Sequence, residues 1–156
     1  MKTAEEWFAD YNESHQDKTN KLIHWVCVPT ILYSIIGTLM HFNALLTAGL
    51  IVLSLVFYNR LDLVLAVAMA AMMGTMVMLI AISPVGTKFY LALFVLAWIG
   101  QFYGHKVEGK KPSFFKDLQF LLVGPAWCVD ALLTKALPKH WKALNPLKKK
   151  KLISVT

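Results

Sequence analysis

The sequence predicts an all-α integral membrane protein, a helical bundle of about four transmembrane helices followed by interfacial C-terminal helices. Three observations predict it. Of 156 residues, 57% are hydrophobic and only 16% charged, whereas soluble domains usually carry about 25% charged residues. The apolar residues are gathered into long runs separated by very short polar breaks. The basic residues flank those runs instead of forming a domain of their own. The length suits one membrane-embedded domain over 1–156. It divides into a polar N-terminal segment 1–22, transmembrane helices 23–103, an interfacial segment 104–140 and a basic tail 141–156.

Residues 1–22 are acidic, polar and histidine-bearing, unlike the short basic start of a cleavable signal. Residues 23–42 give an apolar run of 20, close to what a ~30 Å hydrocarbon core requires. The run 61–82 has 22 residues, while 44–58 and 89–103 have only 15 each. The short ones cross only with help from flanking residues or local thinning of the bilayer. The breaks are His41-Phe42-Asn43, Asn59-Arg60 and Ser83-Pro84-Val85-Gly86. Connections this brief favour antiparallel neighbours and hence a bundle. The fifth segment, 114–137, mixes apolar residues with Lys116, Asp117, Gln119, Asp130 and Lys135, and Gly124-Pro125 interrupts its middle. Charges are costly at the bilayer centre, so interfacial helices or a shallow dip fit it better than a crossing.

Charge placement orients the bundle. The formal net charge is +7. With four crossings and a cytoplasmic N-terminus, every Lys and Arg except Lys88 falls on the cytoplasmic side, as the positive-inside rule requires. The basic residues beside apolar segments suit anionic lipid headgroups, and a nucleic-acid partner is not expected. A bacterial inner membrane, with both termini on the cytoplasmic face, is the expected setting. Cys27 and Cys128 sit in apolar sequence without a CxxC spacing and read as buried small hydrophobes. The Met-rich stretch Met69, Met72, Met73, Met76 and Met78 reads as core filling. Gly74 within it is expected to permit close helix contact, and Asp62 to pair with Arg60.

The polar residues worth chemistry gather at that same face. Tyr11 and His15 are four apart, as are Asn20 and His24, and Gln101 and His105; Glu108 stands three beyond His105. Each spacing puts two polar side chains on one helical face. His15 and His24 are nine apart, about two and a half turns at 3.6 residues per turn, so one straight helix would point them in opposite directions. The chain must bend between them, around Asp17 to Asn20, if both bind one ion. Asn20, Gln101 and Glu108 could orient the imidazoles or complete the shell. A lone interfacial histidine is commonly only a wet, amphipathic anchor. Three with polar partners one turn away suit a metal site with open positions. His41 falls ~25 Å from His24 at 1.5 Å per residue and should not be a ligand.

The paired motifs Tyr11-xxx-His15-xxxx-Asn20-xxx-His24-xxxx-Pro29 and Gln101-Phe-Tyr-Gly104-His105, with Glu108-Gly-Lys-Lys-Pro112 after them, resemble those of the 2-hydroxy fatty acid dioxygenases. These are small membrane proteins, and the resemblance runs from about residue 6 to 137. It implies iron(II)-dependent α-oxidation, in which a 2-hydroxy fatty acid and dioxygen give an acid one carbon shorter. It also implies that His15, His24 and His105 matter for Fe(2+). His140 or Glu108 is a further candidate ligand, and Tyr11 a candidate catalytic residue. Lys21 and Lys106 read as ordinary interfacial lysines. Imidazole ligands do not separate iron from zinc, which leaves a zinc-dependent lipid hydrolase with Glu108 as base as one alternative. A small membrane transporter or scaffold is another, although the runs hold little polar material beyond Ser34, Thr38, Ser54 and Thr75. Oligomeric state is not written in these spacings.

Overall fold

The computed structural model describes residues 2–109 and 120–136, and every regular element among them is helical. The helices are α1 (Ala4–Glu13), α2 (Lys18–Phe42), α3 (Ala44–Leu61), α4 (Leu63–Ile82), α5 (Thr87–Glu108) and α6 (Val123–Ala136). His140, the basic tail 141–156 and residues 110–119 lie outside the described residues.

Helices α1 to α4 each start where a side chain accepts the first unpaired backbone N–H groups, whereas α5 starts at Gly86 without a side-chain cap. Thr3 opens α1 through a capping box, with Glu6 N–H donating to Thr3 Oγ1 and Thr3 N–H donating to the Glu6 carboxylate. Asp17 opens α2 by accepting from Thr19 N at 2.7 Å and Asn20 N at 3.0 Å. The chain therefore bends over residues 14–17, between His15 and His24. Asn43 and Asp62 are single-residue joints. Each ends one helix, extends its backbone and accepts an N–H from the first turn of the next, Leu46 or Leu65. Asp62 is thus a cap, and no Asp62–Arg60 ion pair forms among the described residues. The break anticipated at Asn59-Arg60 is helical, and the joint comes at Asp62 instead.

The short runs lengthen because helical hydrogen bonding continues through their polar flanks. Thus α3 reaches 18 residues and α5 reaches 22. Three helices, α2, α3 and α4, are long and apolar enough to cross a bilayer. The fourth expected crossing, α5, has the length, but its last two turns carry Gln101, His105, Lys106 and Glu108. The outward side chains of these helices are aliphatic and aromatic, among them Phe42, Leu45, Val67, Ile82 and Leu96. Such a surface suits hydrocarbon.

Helix α2 lies at the centre, with α5 antiparallel along one side and α3 and α4 on the other. Helix α6 rests on α1, α2 and α4. Three glycines let α2 and α5 approach, one of them Gly100, whose Cβ would fall 2.6 Å from Cys27 Sγ. A Cβ on Gly37 would fall inside the Tyr90 ring, and one on Gly104 would collide with Asn20 Oδ1 and press on His24. Small residues serve this purpose where apolar lipid gives helices little reason to associate. Gly74 does not share it, because its Cβ position faces open space. Met69 and Met73 are buried in the core, as core filling requires, while Met78 is exposed.

In α6 the Gly124-Pro125 pair stands in the first turn, where the N–H missing from proline is not needed. Within the described helix the pair stands at the start and does not break it. Val123 through Val129 are all buried. Two long-range bonds fix this segment: Tyr58 Oη donates to Leu122 O at 2.8 Å, and Trp127 Nε1 donates to Asn12 Oδ1 at 3.0 Å.

Gly37→Val should destabilise the α2–α5 contact by about 1–3 kcal/mol, the usual cost of overpacking, whereas Gly74→Val should be near neutral. Thermal unfolding in detergent measures both. Equal effects would contradict the packing described.

Candidate metal centre

His15, His24 and His105 converge from three different places in the chain: the α1–α2 bend, the second turn of α2 and the end of α5. One ring nitrogen from each lies within 4.8 Å of the others. Ring centroids stand 4.3 Å apart for His15 and His24, 4.9 Å for His24 and His105, and 5.3 Å for His15 and His105. All three residues are buried, at 1%, 1% and 3% exposure. A soluble or interfacial anchor would keep its ring in water; these rings do not. Among the described residues the cluster holds no carboxylate.

Backbone carbonyls orient two of the rings. Nδ1 of His15 lies 2.6 Å from Tyr11 O, and Nδ1 of His24 lies 3.0 Å from Asn20 O. A carbonyl can only accept, so Nδ1 carries the proton and the lone pair falls on Nε2. The Nε2 atoms of all three histidines are buried. Such carbonyl bonding is a common way of fixing the tautomer of a metal-binding imidazole. The i, i+4 spacings serve this end, through the main chain of Tyr11 and Asn20 and not through their side chains.

Glu108 has a different task. Its carboxylate accepts from Gln16 N at 2.8 Å, Asp17 N at 2.8 Å and Asn20 Nδ2 at 3.0 Å. It joins the end of α5 to the bend that carries His15, and it lies outside the histidine cluster. Asn20 is fully buried and also donates to Ser14 O. Both residues hold the bend in place.

Tyr11 stacks on His15, with ring centroids 4.1 Å apart and an interplanar angle of 9°. Phe120 meets Tyr11 edge-on, and the Trp127 ring lies 6.2 Å from His15. Sequence spacing gave no sign of Phe120 or Trp127, because α1 and α6 meet only through the tertiary fold. Gln101 is buried one turn before His105 and lines a small pocket with Tyr11, Val28, Ile31, Trp98, Phe120 and Leu121. His41 sits at the far end of α2, bonded to Gly37 O and against Tyr90. Lys106 is exposed and Lys21 half-buried. Cys128 is buried, and burial pushes its thiol up to about 12, so it stays protonated and unreactive near neutral pH.

Three buried imidazoles, each with a ring nitrogen within 4.8 Å of the others, fit a divalent transition metal. Removing the Glu108 carboxylate, as in Glu108→Ala, would strip the acceptor from two backbone N–H groups, at about 1–3 kcal/mol. Hydrogen exchange at Gln16 and Asp17 should then quicken about tenfold or more. Unchanged exchange would contradict the bracing role.

Comparison with known proteins places the chain. The model of the Mpo1-like family, described as 2-hydroxy-palmitic acid dioxygenase Mpo1-like, matches residues 1–136. The 2-hydroxy-palmitic acid dioxygenase MPO1 of Saccharomyces cerevisiae is 32% identical over 139 residues, covering 80% of this chain and 76% of the relative. No solved structure matches the chain. The chain belongs to the Mpo1-like dioxygenase family.

Proposed function

We propose that this protein is an iron(II)-dependent dioxygenase that converts a 2-hydroxy fatty acid to the acid one carbon shorter. The observation that carries this reading is the buried histidine cluster at one end of an apolar bundle, in a chain of this family. His15, His24 and His105 would hold the ion through Nε2. Bound iron(II) supplies the dioxygen chemistry that separates C1 from C2 of the substrate.

The chain's own residues do the rest. A neutral donor set leaves the charge of a divalent ion uncompensated, which favours an anionic substrate group at the site. Tyr11 keeps the His15 ring in place by stacking, and Asn20 and Glu108 hold the bend that presents it. Trp127, Phe120 and the first turn of α6 cover the cluster and keep water from it. Val28 and Ile31 lie one and two turns beyond His24. Trp98 stands two turns before His105. All three line the pocket beside the histidines, an apolar path for an acyl chain coming from the bilayer.

The alternatives fare less well. Glu108 is committed to two backbone amides and Asn20, a poor position for the base of a zinc hydrolase. A transporter needs polar groups along its spans, yet the Ser34, Ser54 and Thr75 hydroxyls donate to backbone carbonyls of their own helices. The basic residues near the histidine end favour a cytoplasmic orientation of this site, as in a bacterial inner membrane.

Iron-loaded protein should consume dioxygen with 2-hydroxypalmitate and form pentadecanoate, and should leave palmitate untouched. Oxygen uptake with product analysis by mass spectrometry checks this. Equal turnover of palmitate, or hydrolysis of an ester without oxygen uptake, would overturn the reading.

A further inference from the structure

The pocket beside the histidines has two wall residues from α5, Gln101 and Trp98, of which Gln101 alone carries an amide. Its position follows from the two antiparallel helices. Val28 and Ile31 stand four and seven residues after His24, and Gln101 and Trp98 stand four and seven before His105. These spacings keep each set on the face of its helix that carries the histidine. Tyr11, which stacks on His15, also lines the pocket, so the pocket adjoins the cluster along the faces of α2 and α5 that carry His24 and His105.

Gln101 is only 6% exposed. Its side-chain amide makes no hydrogen bond among the described residues, although it borders the pocket. An amide left without a protein partner at the wall of a pocket is expected where a ligand completes its bonding. The other residues around the pocket are Tyr11, Val28, Ile31, Trp98, Phe120 and Leu121, so no cation lines it among the described residues. A carboxylate entering there brings two oxygens. One turned toward the histidines leaves the other in an apolar slot, in need of a donor.

We infer that the Gln101 side-chain amide donates a hydrogen bond to the carboxylate of the fatty acid, and so selects an acid over a neutral lipid. This rests on the proposed dioxygenase function and assigns a substrate-binding residue to it. A neutral amide suits the task better than lysine or arginine would. It supplies N–H donors without requiring a fixed charge to be desolvated when the pocket is empty.

The test uses iron-loaded protein in lipid nanodiscs, kept anaerobic so that binding is read without turnover. Binding of 2-hydroxypalmitate is compared with that of 1,2-hexadecanediol, which replaces the carboxylate by a neutral hydroxymethyl group. Gln101→Met keeps the side-chain length and should weaken acid binding about ten- to a hundredfold, the worth of a hydrogen bond to a charged group. The diol should change several-fold less, and iron content should not change. Gln101→Glu should weaken the acid still more and again spare the diol. Equal losses for acid and diol, or no loss in Gln101→Met, would overturn the inference and leave the dioxygenase reading standing. Wild-type protein that fails to bind the acid at all would overturn both.

Discussion

Helices α2 and α5 approach so closely that Gly37 and Gly104 have no room for a Cβ, and the rest of the site depends on that contact. It brings the start of α2 beside the end of α5, and so His24 beside His105. At the same level Glu108 reaches across to Gln16, Asp17 and Asn20. A wider spacing would separate the two imidazoles and leave the bend without its acceptor. Lipid offers no hydrophobic drive to hold helices together. Close backbone approach and buried polar bonds must supply that hold instead.

The histidine cluster is costly to build without a ligand. Three imidazoles are withdrawn from water within a few ångströms of one another, which forfeits their hydration. Carbonyl bonds at Nδ1 of His15 and His24 satisfy one nitrogen of each ring and fix its orientation. The converging nitrogens make chemical sense when an ion takes them. Among the described residues the cluster holds no carboxylate, so on the proposed reading the substrate anion would balance the charge. A fatty acid is such an anion, and the apolar pocket beside the cluster suits its tail.

Much of this was legible in the sequence, where the signal is local. The apolar runs located the spans, and the i, i+4 spacings placed Tyr11, Asn20 and Gln101 beside the histidines. The nine-residue gap between His15 and His24 demanded a bend, and Asp17 caps the helix that follows it. What escaped is non-local or depends on the backbone. Trp127 and Phe120 reach Tyr11 and His15 only because α6 folds back over α1. Glu108 was weighed as a ligand or base, since a carboxylate near histidines suggests both, yet its partners are amides ninety residues away in the chain. Gly74 and Gly104 look alike in the sequence. Only the packing tells that the first faces open space and the second a neighbouring helix.

The most direct test is the metal content of protein purified without oxygen, for the wild type and for His15→Ala, His24→Ala and His105→Ala. Close to one iron per wild-type chain is expected, with each substitution removing most of it while helical content by circular dichroism is kept. Iron retained after loss of any one of these histidines, or zinc in its place in the wild type, would contradict the three-histidine iron site.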